Sequence, residues 1–276
     1  MVLLTLNTHS HAEENYREKL CAFVKAIADI KPDIIALQEV NQSAGKAEVK
    51  NPPRFTPPDD KTVVKSDNHA LCVINMLAEI GIEYYWSYKN IKKGYDVFDE
   101  GIAVLSKSRI TEAVCFTVSV EDNYNDWRTR KILGVRTKDY PDEIFFSVHY
   151  GWWKDKDSFA SQWLKTIENI RKYKNVWLMG DFNNPAEITG EGYSLVSASG
   201  FYDSYINAKV KDNGVTVDRI IDGWQDRIKN TTGGMRIDQI WSSKPQKIKS
   251  HRVIFGGENF PVISDHYGII LKTENA

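Results

Sequence analysis

The residues best suited to chemistry follow an apolar run near position 180. The run at 176–180 leads directly into Asp181, Phe182 and Asn183. Side chains alternate along an extended strand, so Asp181 and Asn183 share one face while Phe182 points to the other and can pack. A carboxylate and a carboxamide are thus presented together at the carboxyl end of a strand, where open α/β sheets place their sites. The alternative is an Asx-rich turn closed by Pro185.

Other apolar runs end in polar residues in the same way. The full set of such residues is Asn7, Glu39, Glu100, His149, Asp181, Asn183, Asp238, Asp265 and His266. Any one of these side chains alone is more typical of a solvated carboxylate or a structural histidine than of a site. Together, carboxylates without a cysteine cluster suit a hard cation such as Mg²⁺, and histidines beside carboxylates suit acid–base chemistry.

The elements that position the first of these residues form a β-α-β pattern. Residues 2–7 and 34–37 read as strands, and the apolar stripe between them indicates a helix. A Ser-x-x-Glu capping box predicts that this helix begins at Ser10. The two strands should pair in parallel, which would place Asn7 and Glu39 near the same edge of the sheet.

The rest of the chain alternates between strands and helices. Strands are predicted over 82–88, 99–105, 110–118, 131–137, 144–149 and 176–181, followed by two last strands, one after residues 237–241 and one over 267–271. Short strands in succession favour antiparallel pairing. Helices are predicted over 70–78 and 159–170, so residues 144–181 form a second β-α-β pattern. Polar residues at 41–67 and 202–236 indicate two long surface loops.

Composition narrows the possible classes of protein. The 276-residue chain carries 36 basic and 37 acidic residues, so it has no general attraction to a phosphate backbone. Its three cysteines, Cys21, Cys72 and Cys115, are far apart, which predicts reduced core residues rather than disulfides or a metal site. No apolar run approaches about 18 residues, and no secretory signal is evident. We therefore expect one domain over residues 1–276 in a soluble, cytoplasmic protein.

In their order along the chain, these motifs resemble the endonuclease/exonuclease/phosphatase superfamily, whose fold is described as DNase I-like. The matching segments are Leu6-Asn7, Leu37-Gln38-Glu39-Val40, Glu100-Gly101-Ile102-Ala103-Val104-Leu105-Ser106, Val148-His149, Gly180-Asp181-Phe182-Asn183, Arg236-Ile237-Asp238 and Ser264-Asp265-His266. Each segment is a weak signal alone, but their shared order covers nearly the whole chain. The resemblance implies a four-layer α/β sandwich, in which helices flank two facing mixed β-sheets. It also implies a Mg²⁺-dependent phosphoric ester hydrolase with its site at one end.

The resemblance implies a metal centre and a water-activating residue. Glu39 would be the main ligand of Mg²⁺, with Mn²⁺ as an alternative, and Asn7 and Asp265 would lie close to the metal. A single strong carboxylate ligand is adequate because Mg²⁺ keeps several of its waters. Asp181 would position or deprotonate the attacking water, and Asn183 would hold a phosphate oxygen.

The resemblance also implies two histidines that act on the phosphate. His149 would contact the scissile phosphate and be oriented by Glu100, while His266 would be oriented by Asp238. A carboxylate partner fixes the tautomer of a histidine and favours its cationic form, which suits a dianionic substrate. Arg130, at the start of a predicted strand, is a looser match to a substrate-binding arginine of some family members.

Further residues near this predicted site could contact the substrate. His9 and His11 lie beside the start of the first predicted helix, where anions bind readily, although both could be ordinary loop residues. Trp152 and Trp153 follow His149 closely in the sequence. Their rings could stack on a sugar or a base, or could pack in the core.

The choice of phosphate ester depends on a second resemblance. The segments at 67–71, 94–101, 221–224 and 234–238 are most similar to a bacterial branch of sugar-phosphate phosphatases, which includes the maltose 6'-phosphate phosphatases. This branch implies a small phosphorylated sugar as substrate, with neither a membrane nor an obligate protein partner. The balanced charge makes nucleic acid a less favoured partner. A nuclease or sphingomyelinase-type phosphodiesterase is the alternative, and a non-catalytic binding protein on the same scaffold is the third hypothesis.

Overall fold

Two β-sheets face each other across an apolar layer, and helices cover their outer faces. The computed structural model describes residues 1–219, 221, 224 and 233–274, and over these residues it contains a seven-stranded and a six-stranded mixed sheet. The predicted four-layer α/β sandwich is therefore confirmed. None of the helices in the described part of the chain is long and apolar enough to cross a membrane.

Strands and helices alternate along the chain. In chain order, the described elements are β1 (Val2–Asn7), α1 (Tyr16–Ile30), β2 (Ile34–Ser43), α2 (His69–Glu79), β3 (Tyr85–Gly94), β4 (Phe98–Ser106), β5 (Ile110–Thr117), β6 (Lys131–Thr137), β7 (Ile144–His149), α3 (Phe159–Ile170), β8 (Val176–Asp181), α4 (Gly192–Ala198), β9 (Tyr202–Asp203), β10 (Ala208–Lys211), β11 (Asp238–Ser242), β12 (Ile248–Ile254) and β13 (Gly268–Thr273). The first sheet has the order β10-β12-β13-β1-β2-β4-β3, and the second has the order β5-β6-β7-β8-β11-β9. The strands β1, β2, β7 and β8 therefore lie inside their sheets rather than at an edge.

Three apolar layers hold these elements together. The first lies between the helices α1 and α2 and the first sheet, where Phe23 packs with Leu37. The second lies between the two sheets and includes Val104 and Trp177. The third joins the second sheet to α3 and α4 and contains Trp163. Both faces of the central strands are covered, which is why these strands are apolar along most of their length.

Parallel strand pairs bring predicted site residues together. Strand β1 pairs in parallel with β2, and β7 pairs in parallel with β8, as the two β-α-β patterns predicted. Asn7 lies opposite Gln38 in the first pair, and His149 lies opposite Asp181 in the second. Strand β11 runs antiparallel to β8 and places Asp238 opposite Asp181. Three predicted site residues of the second sheet are therefore cross-strand neighbours.

The predicted start of the first helix is wrong. Ser10 belongs to a single 3₁₀ turn over Ser10–Ala12, and α1 begins only at Tyr16. The Ser10 hydroxyl donates to the carbonyl oxygen of Glu39 at 2.7 Å and accepts from the backbone N–H of Asn41 at 3.0 Å. Because β2 uses this hydroxyl, it does not cap the helix.

Strand β2 also departs from the prediction, since it continues past Leu37 to Ser43. Its register with β4 shifts between Leu37 and Val40, and Glu39 has a φ of +49°. A bulge of this kind adds a residue to one strand and re-aims its side chains. The irregularity in β2 is therefore located at the predicted metal ligand.

Several short elements escaped prediction because they carry little apolar periodicity. They are α4, β9 and β10, together with β11, since residues 238–242 themselves form a strand as well as preceding the predicted one, β12. The predicted loop at 202–236 contains β9 and β10, and part of this region lies outside the described residues. Residues 44–67, all of which the structure describes, form no helix and no named strand, as predicted.

The three cysteines are free, but they are not all core residues. Cys72 and Cys115 pack against the apolar layers, whereas Cys21 is exposed on α1. Apolar neighbours in sequence do not bury a helical residue, since only one face of an amphipathic helix packs.

The two sheets approach each other closely at Gly180. Its φ is +145°, and an added Cβ would overlap the carbonyl oxygen of Val148 and lie 2.7 Å from Nε2 of Gln38. That amide nitrogen donates to the hydroxyl of Ser147 at 2.8 Å, which links the first sheet to the second. Glycine is required here both for its backbone conformation and for its lack of a side chain.

We expect Gly180→Ala to destabilise the fold. The added methyl group would strain the backbone and disturb the Gln38–Ser147 hydrogen bond, so the free energy of unfolding should fall by about 3 kcal/mol. Urea unfolding followed by circular dichroism measures the change. Gly45→Ala is the matched control, because no described atom lies within 4 Å of an added Cβ there. Equal stability of the two variants would contradict the prediction.

The ring of His251 on β12 is buried. Its centroid lies 5.3 Å from that of Tyr205, and neither ring nitrogen has a partner among the described residues. Burial, with a smaller contribution from the positive charge of Arg236, lowers the pKa of His251 to about 3. The ring is therefore neutral in the folded protein at ordinary pH.

A neutral buried histidine makes stability depend on pH. Unfolded His251 takes up a proton below its ordinary pKa of 6.5, whereas the folded form stays neutral down to about pH 3, so stability falls as pH drops through this window. We expect His251→Phe to remove this pH dependence. The free energy of unfolding of the variant should exceed that of the wild type by about 1 kcal/mol more for each pH unit below 6.5. Urea unfolding from about pH 7.5 to about pH 5 measures this difference. A difference that stays constant with pH would count against the prediction.

Candidate active site

A cleft of about 260 Å³ opens where the ends of the two sheets meet. The predicted site residues that line it are His9, Glu39, Glu100, Arg130, His149, Trp152, Asp181, Asn183, Asp265 and His266. Two further predicted residues, Asn7 and Asp238, lie behind this lining and contact it through hydrogen bonds. The fold therefore brings together residues from nearly the whole length of the chain.

Asn7 connects the two sheets at the base of the cleft. Its side-chain amide donates to Oε1 of Glu39 at 2.9 Å and to Oδ2 of Asp181 at 3.2 Å. Glu39 belongs to the first sheet, and Asp181 ends a strand of the second. One buried carboxamide thus holds the predicted metal ligand beside the residue predicted to act on water.

Asp181 is also held by Asn183, which has a φ of +50°. The backbone N–H of Asn183 donates to Oδ1 of Asp181 at 2.8 Å, so the Asx turn considered as an alternative is present within the site. The side-chain amide of Asn183 donates to Oδ2 of Asp181 at 3.2 Å and to the carbonyl oxygen of Tyr150 at 2.9 Å. Its Oδ1 accepts from Nε1 of Trp224 at 3.0 Å. The predicted contact with a phosphate oxygen would require one of these bonds to break.

His266 and Asp238 form the predicted pair. Nδ1 of His266 lies 2.9 Å from Oδ2 of Asp238, and both residues are buried. Burial opposes a charged ring, but the carboxylates of Asp238 and Asp181 raise the pKa of His266 well above 6.5. Its Nε2 lies 4.0 Å from Oδ2 of Asp181. Burial in turn raises the pKa of Asp181 to about 7, although the His266 charge opposes this shift.

His149 and Glu100 occupy the same cleft, but the predicted pairing between them is not observed. Oε1 of Glu100 lies 3.2 Å from Nζ of Lys92, its cross-strand neighbour on β3. The ion-pair contacts of His149 within the described residues run from Nε2 to Asp181 at 3.6 Å and to Glu39 at 4.0 Å. Burial, together with nearby positive charges, holds the pKa of His149 well below 6.5. The expected cationic form of His149 is therefore disfavoured.

His9 joins three segments at the mouth of the cleft. Its Nδ1 lies 2.7 Å from Oε1 of Glu13 and 3.8 Å from Oδ1 of Asp265, while its Nε2 lies 2.8 Å from the hydroxyl of Tyr95. The backbone N–H of Asp265 donates to the same Glu13 oxygen at 3.0 Å. Burial opposes a charged His9, but its hydrogen bond to Glu13 raises the pKa of His9 to about 9.

Two of the predicted substrate-binding residues do not line the cleft. Nε2 of His11 lies 2.7 Å from the carbonyl oxygen of Asp67, which agrees with the alternative of an ordinary loop residue. Trp153 packs against the apolar layer beneath α3. Arg130 and Trp152, in contrast, line the cleft, and their contact with substrate stays a prediction.

Other cleft residues were not among the predicted site residues. They are Lys92, Lys93, Gly94, Tyr95, Trp127, Gly151, Asp155, Ile221 and Trp224. Lys92 and Lys93 lie in the basic segment at 89–93, and this concentration of lysines could have indicated a contact with phosphate. The contact of Trp224 with Asn183 depends on tertiary structure and left no local signal. Of the motif at 221–224, only Ile221 and Trp224 lie within the described residues.

The chemistry of the donor groups fits a hard divalent cation. Burial raises the pKa of Glu39, and the negative charges of Glu100 and Asp265 raise it further because they repel an ionised Glu39. A bound cation would relieve this repulsion. Ligand atoms lie within 4.8 Å of one another in two groups of described residues, namely His9, Glu13 and Asp265, and Asp181, Asp238 and His266. Carboxylate and amide oxygens are the ligands that Mg²⁺ prefers. Glu39 belongs to neither group, so a Mg²⁺ site at Glu39, Asn7 and Asp265 stays a prediction that their oxygen donors suit.

We expect Asp238→Asn to lower the pKa of His266. Burial already opposes the cationic ring, and Asp238 supplies the strongest charge that favours it, so a neutral amide should lower the pKa by about 1 unit or more. An NMR titration of the imidazole nitrogens measures this pKa. The resonances of His9 provide the internal control, since its nearest carboxylate is Glu13. An unchanged titration of His266 would refute the prediction.

Comparison with known proteins is consistent with this geometry. Residues 4–266 match the Endonuclease/Exonuclease/phosphatase family. A solved structure described as an endonuclease/exonuclease/phosphatase family protein from Leptotrichia buccalis C-1013-b is 28% identical, with a TM-score of 0.86 over 99% of both chains. No curated protein matches the chain.

Two more distant solved structures share the fold. A mannosyl-6-phosphatase from Bacteroides thetaiotaomicron VPI-5482 is 16% identical, with a TM-score of 0.66 over 99% of this chain and 98% of its own. A 3' phosphatase from Neisseria bound to a product DNA hairpin is 18% identical, with a TM-score of 0.63 over 99% of both chains. At these identities the likeness shows the fold alone. Because the family match extends over nearly the whole length, the chain belongs to the Endonuclease/Exonuclease/phosphatase family.

Proposed function

We propose that the protein is a divalent-cation-dependent phosphomonoesterase that hydrolyses a small sugar phosphate, such as maltose 6'-phosphate, to the sugar and inorganic phosphate. The observation that carries this proposal is the convergence of Glu39, Asp181 and His266 with the cations Lys92 and Arg130 in one cleft. Phosphoryl transfer asks mainly for positioning and for neutralisation of the phosphate charge. The carboxylates suit a metal ion, and the two cations suit a phosphate group. Together they would position the phosphate and neutralise its charge.

Asp181 is the residue that would act on the attacking water. Its carboxylate is fixed by Asn7 and Asn183, and it lies beside the ring of His266. Burial raises its pKa to about 7, which suits a general base near neutral pH. In this assignment Asp181 takes a proton from water as the water attacks phosphorus, the P–O bond to the sugar breaks, and the sugar oxygen leaves with a proton from solvent. Asn183 would orient the Asp181 carboxylate through its hydrogen bonds, instead of contacting the phosphate itself.

The two histidines have different tasks in this proposal. Cationic His266 would stabilise the negative charge that develops on the phosphate, as oriented donors do in phosphoryl transfer. Neutral His149 would donate a hydrogen bond to the same group. A Mg²⁺ bound by Glu39, Asn7 and Asp265 would supply further charge neutralisation and orient the phosphate.

Aromatic rings and a limited volume favour a sugar phosphate over a polymer. Tyr95, Trp127, Trp152 and Trp224 line a cleft of about 260 Å³, and aromatic faces can stack on sugar rings. The formal net charge of −1 offers no general attraction to nucleic acid. Of the two distant structural neighbours, one is described as a mannosyl-6-phosphatase and the other is bound to DNA, so the preference depends on the cleft and the charge.

A panel of sugar phosphates tests this proposal. We expect the protein to release inorganic phosphate from a sugar phosphate in the presence of Mg²⁺ or Mn²⁺, and a chelator to abolish the release. Asp181→Ala should lower kcat by about a hundredfold or more, because it removes the general base. Phosphate release is measured colorimetrically, alongside plasmid nicking and choline-phosphate release from sphingomyelin.

Thermal unfolding of Asp181→Ala controls for loss of folded protein. Nicking of DNA or cleavage of sphingomyelin, without release from any sugar phosphate, would establish the phosphodiesterase alternative instead. Tight binding of a sugar phosphate without turnover would favour the non-catalytic binding protein. Phosphate release that survives the chelator would contradict the dependence on a divalent cation.

A further inference from the structure

Two cations are buried in the wall of the cleft. Lys92 and Arg130 are each 7% exposed, and both line the cleft. Within the described residues, the carboxylate paired with them is that of Glu100, which lies 3.2 Å from Nζ of Lys92. Buried charges are costly unless they are paired, so two cations beside one carboxylate leave positive charge for a ligand.

Both cations are anchored on one backbone oxygen. Nζ of Lys92 donates to the carbonyl oxygen of Trp127 at 2.9 Å, and Nη1 of Arg130 donates to the same oxygen at 2.8 Å. Nη1 of Arg130 also donates to the carbonyl oxygen of Thr129 at 3.2 Å. Because they share an acceptor, the ammonium and guanidinium groups are held next to each other.

Each cation retains hydrogen-bond donors for a ligand. An ammonium group has three donors, and the contacts of Lys92 with Trp127 and Glu100 account for two of them. Nε of Arg130 is buried and has no partner among the described residues. The Nε and Nη2 edge of a guanidinium is a fork that matches two oxygens of a phosphate. The wall therefore holds a lysine with one further donor beside an arginine whose Nε has no partner among the described residues.

We propose that Lys92 and Arg130 together bind the non-bridging oxygens of a terminal phosphate and thereby select phosphomonoesters over phosphodiesters. This inference rests on the phosphoesterase function proposed above and adds to it the origin of the preference for monoesters. A monoester dianion carries one more unesterified oxygen and one more charge than a diester. The second cation recognises this difference, and Glu100 acts as a positioning residue for Lys92.

Two matched esters test the selectivity. The compounds p-nitrophenyl phosphate and p-nitrophenyl methyl phosphate share a leaving group and differ by one methyl ester. We expect Lys92→Gln and Arg130→Lys each to lower kcat/KM for the monoester about tenfold or more, and for the diester less than about threefold. Lys92→Gln keeps a donor for the Trp127 carbonyl, and Arg130→Lys keeps the charge while removing the fork.

Lys89→Gln is the matched control variant. Lys89 lies on the same strand and is 6% exposed, but its Nζ pairs with Asp59 at 2.7 Å and it does not line the cleft. This variant should leave both esters within about twofold of the wild-type rate, as expected for a residue away from the site. Its melting temperature also shows how much loss of a buried lysine disturbs the fold.

Binding of inorganic phosphate separates this inference from the proposed function. Isothermal titration calorimetry should show a Kd weakened about tenfold in Lys92→Gln and Arg130→Lys, and unchanged in Lys89→Gln. If the wild type releases phosphate from no sugar phosphate and hydrolyses neither ester but shows this binding pattern, the proposed function fails and the phosphate site stands. Equal losses on both esters, or unchanged phosphate affinity in both cleft variants, would overturn the inference.

Discussion

The cleft depends on a polar connection between the two sheets directly behind it. Gln38 reaches from the first sheet into the apolar layer and donates to the Ser147 hydroxyl of the second sheet at 2.8 Å. A polar group buried there is costly without its partner, so the two sheets are stable together in one relative position. That position sets Glu39 beside Asp181, close enough for the amide of Asn7 to bond both carboxylates.

Charge is divided unevenly around the cleft. The carboxylates of Glu39 and Asp181 gather at the ends of the two sheets, whereas Lys92 and Arg130 share one backbone oxygen in the wall. Groups of like charge destabilise a fold when they are buried together, and such arrangements are typical of functional sites. The proposed divalent cation and phosphate would neutralise the acidic and the basic parts respectively. The same charges that destabilise the fold would therefore bind the ligands of the cleft.

Backbone strain also occurs at the same place. His9, Ser10, Glu39 and Asn183 have φ values between +36° and +50°, a region that non-glycine residues occupy at a cost of about 1 kcal/mol or more. Hydrogen bonds compensate this cost, since the Ser10 hydroxyl bonds the Glu39 carbonyl and the Asn183 N–H bonds Asp181. The side chains are thus held in place by the fold itself, as a preorganised site requires.

The sequence by itself determined which segments would form the sheets and which polar residues would end their strands. Side-chain alternation and strand termination are local properties, so Asp181 and His149 could be placed at strand ends, and the order of motifs predicted the family. The pairing among these residues was decided by tertiary structure. Glu100 meets Lys92 because an irregular register between β3 and β4 sets its neighbour, and Ser10 bonds β2 instead of capping α1. The partner of a polar side chain depends on contacts between distant segments, which local sequence patterns do not encode.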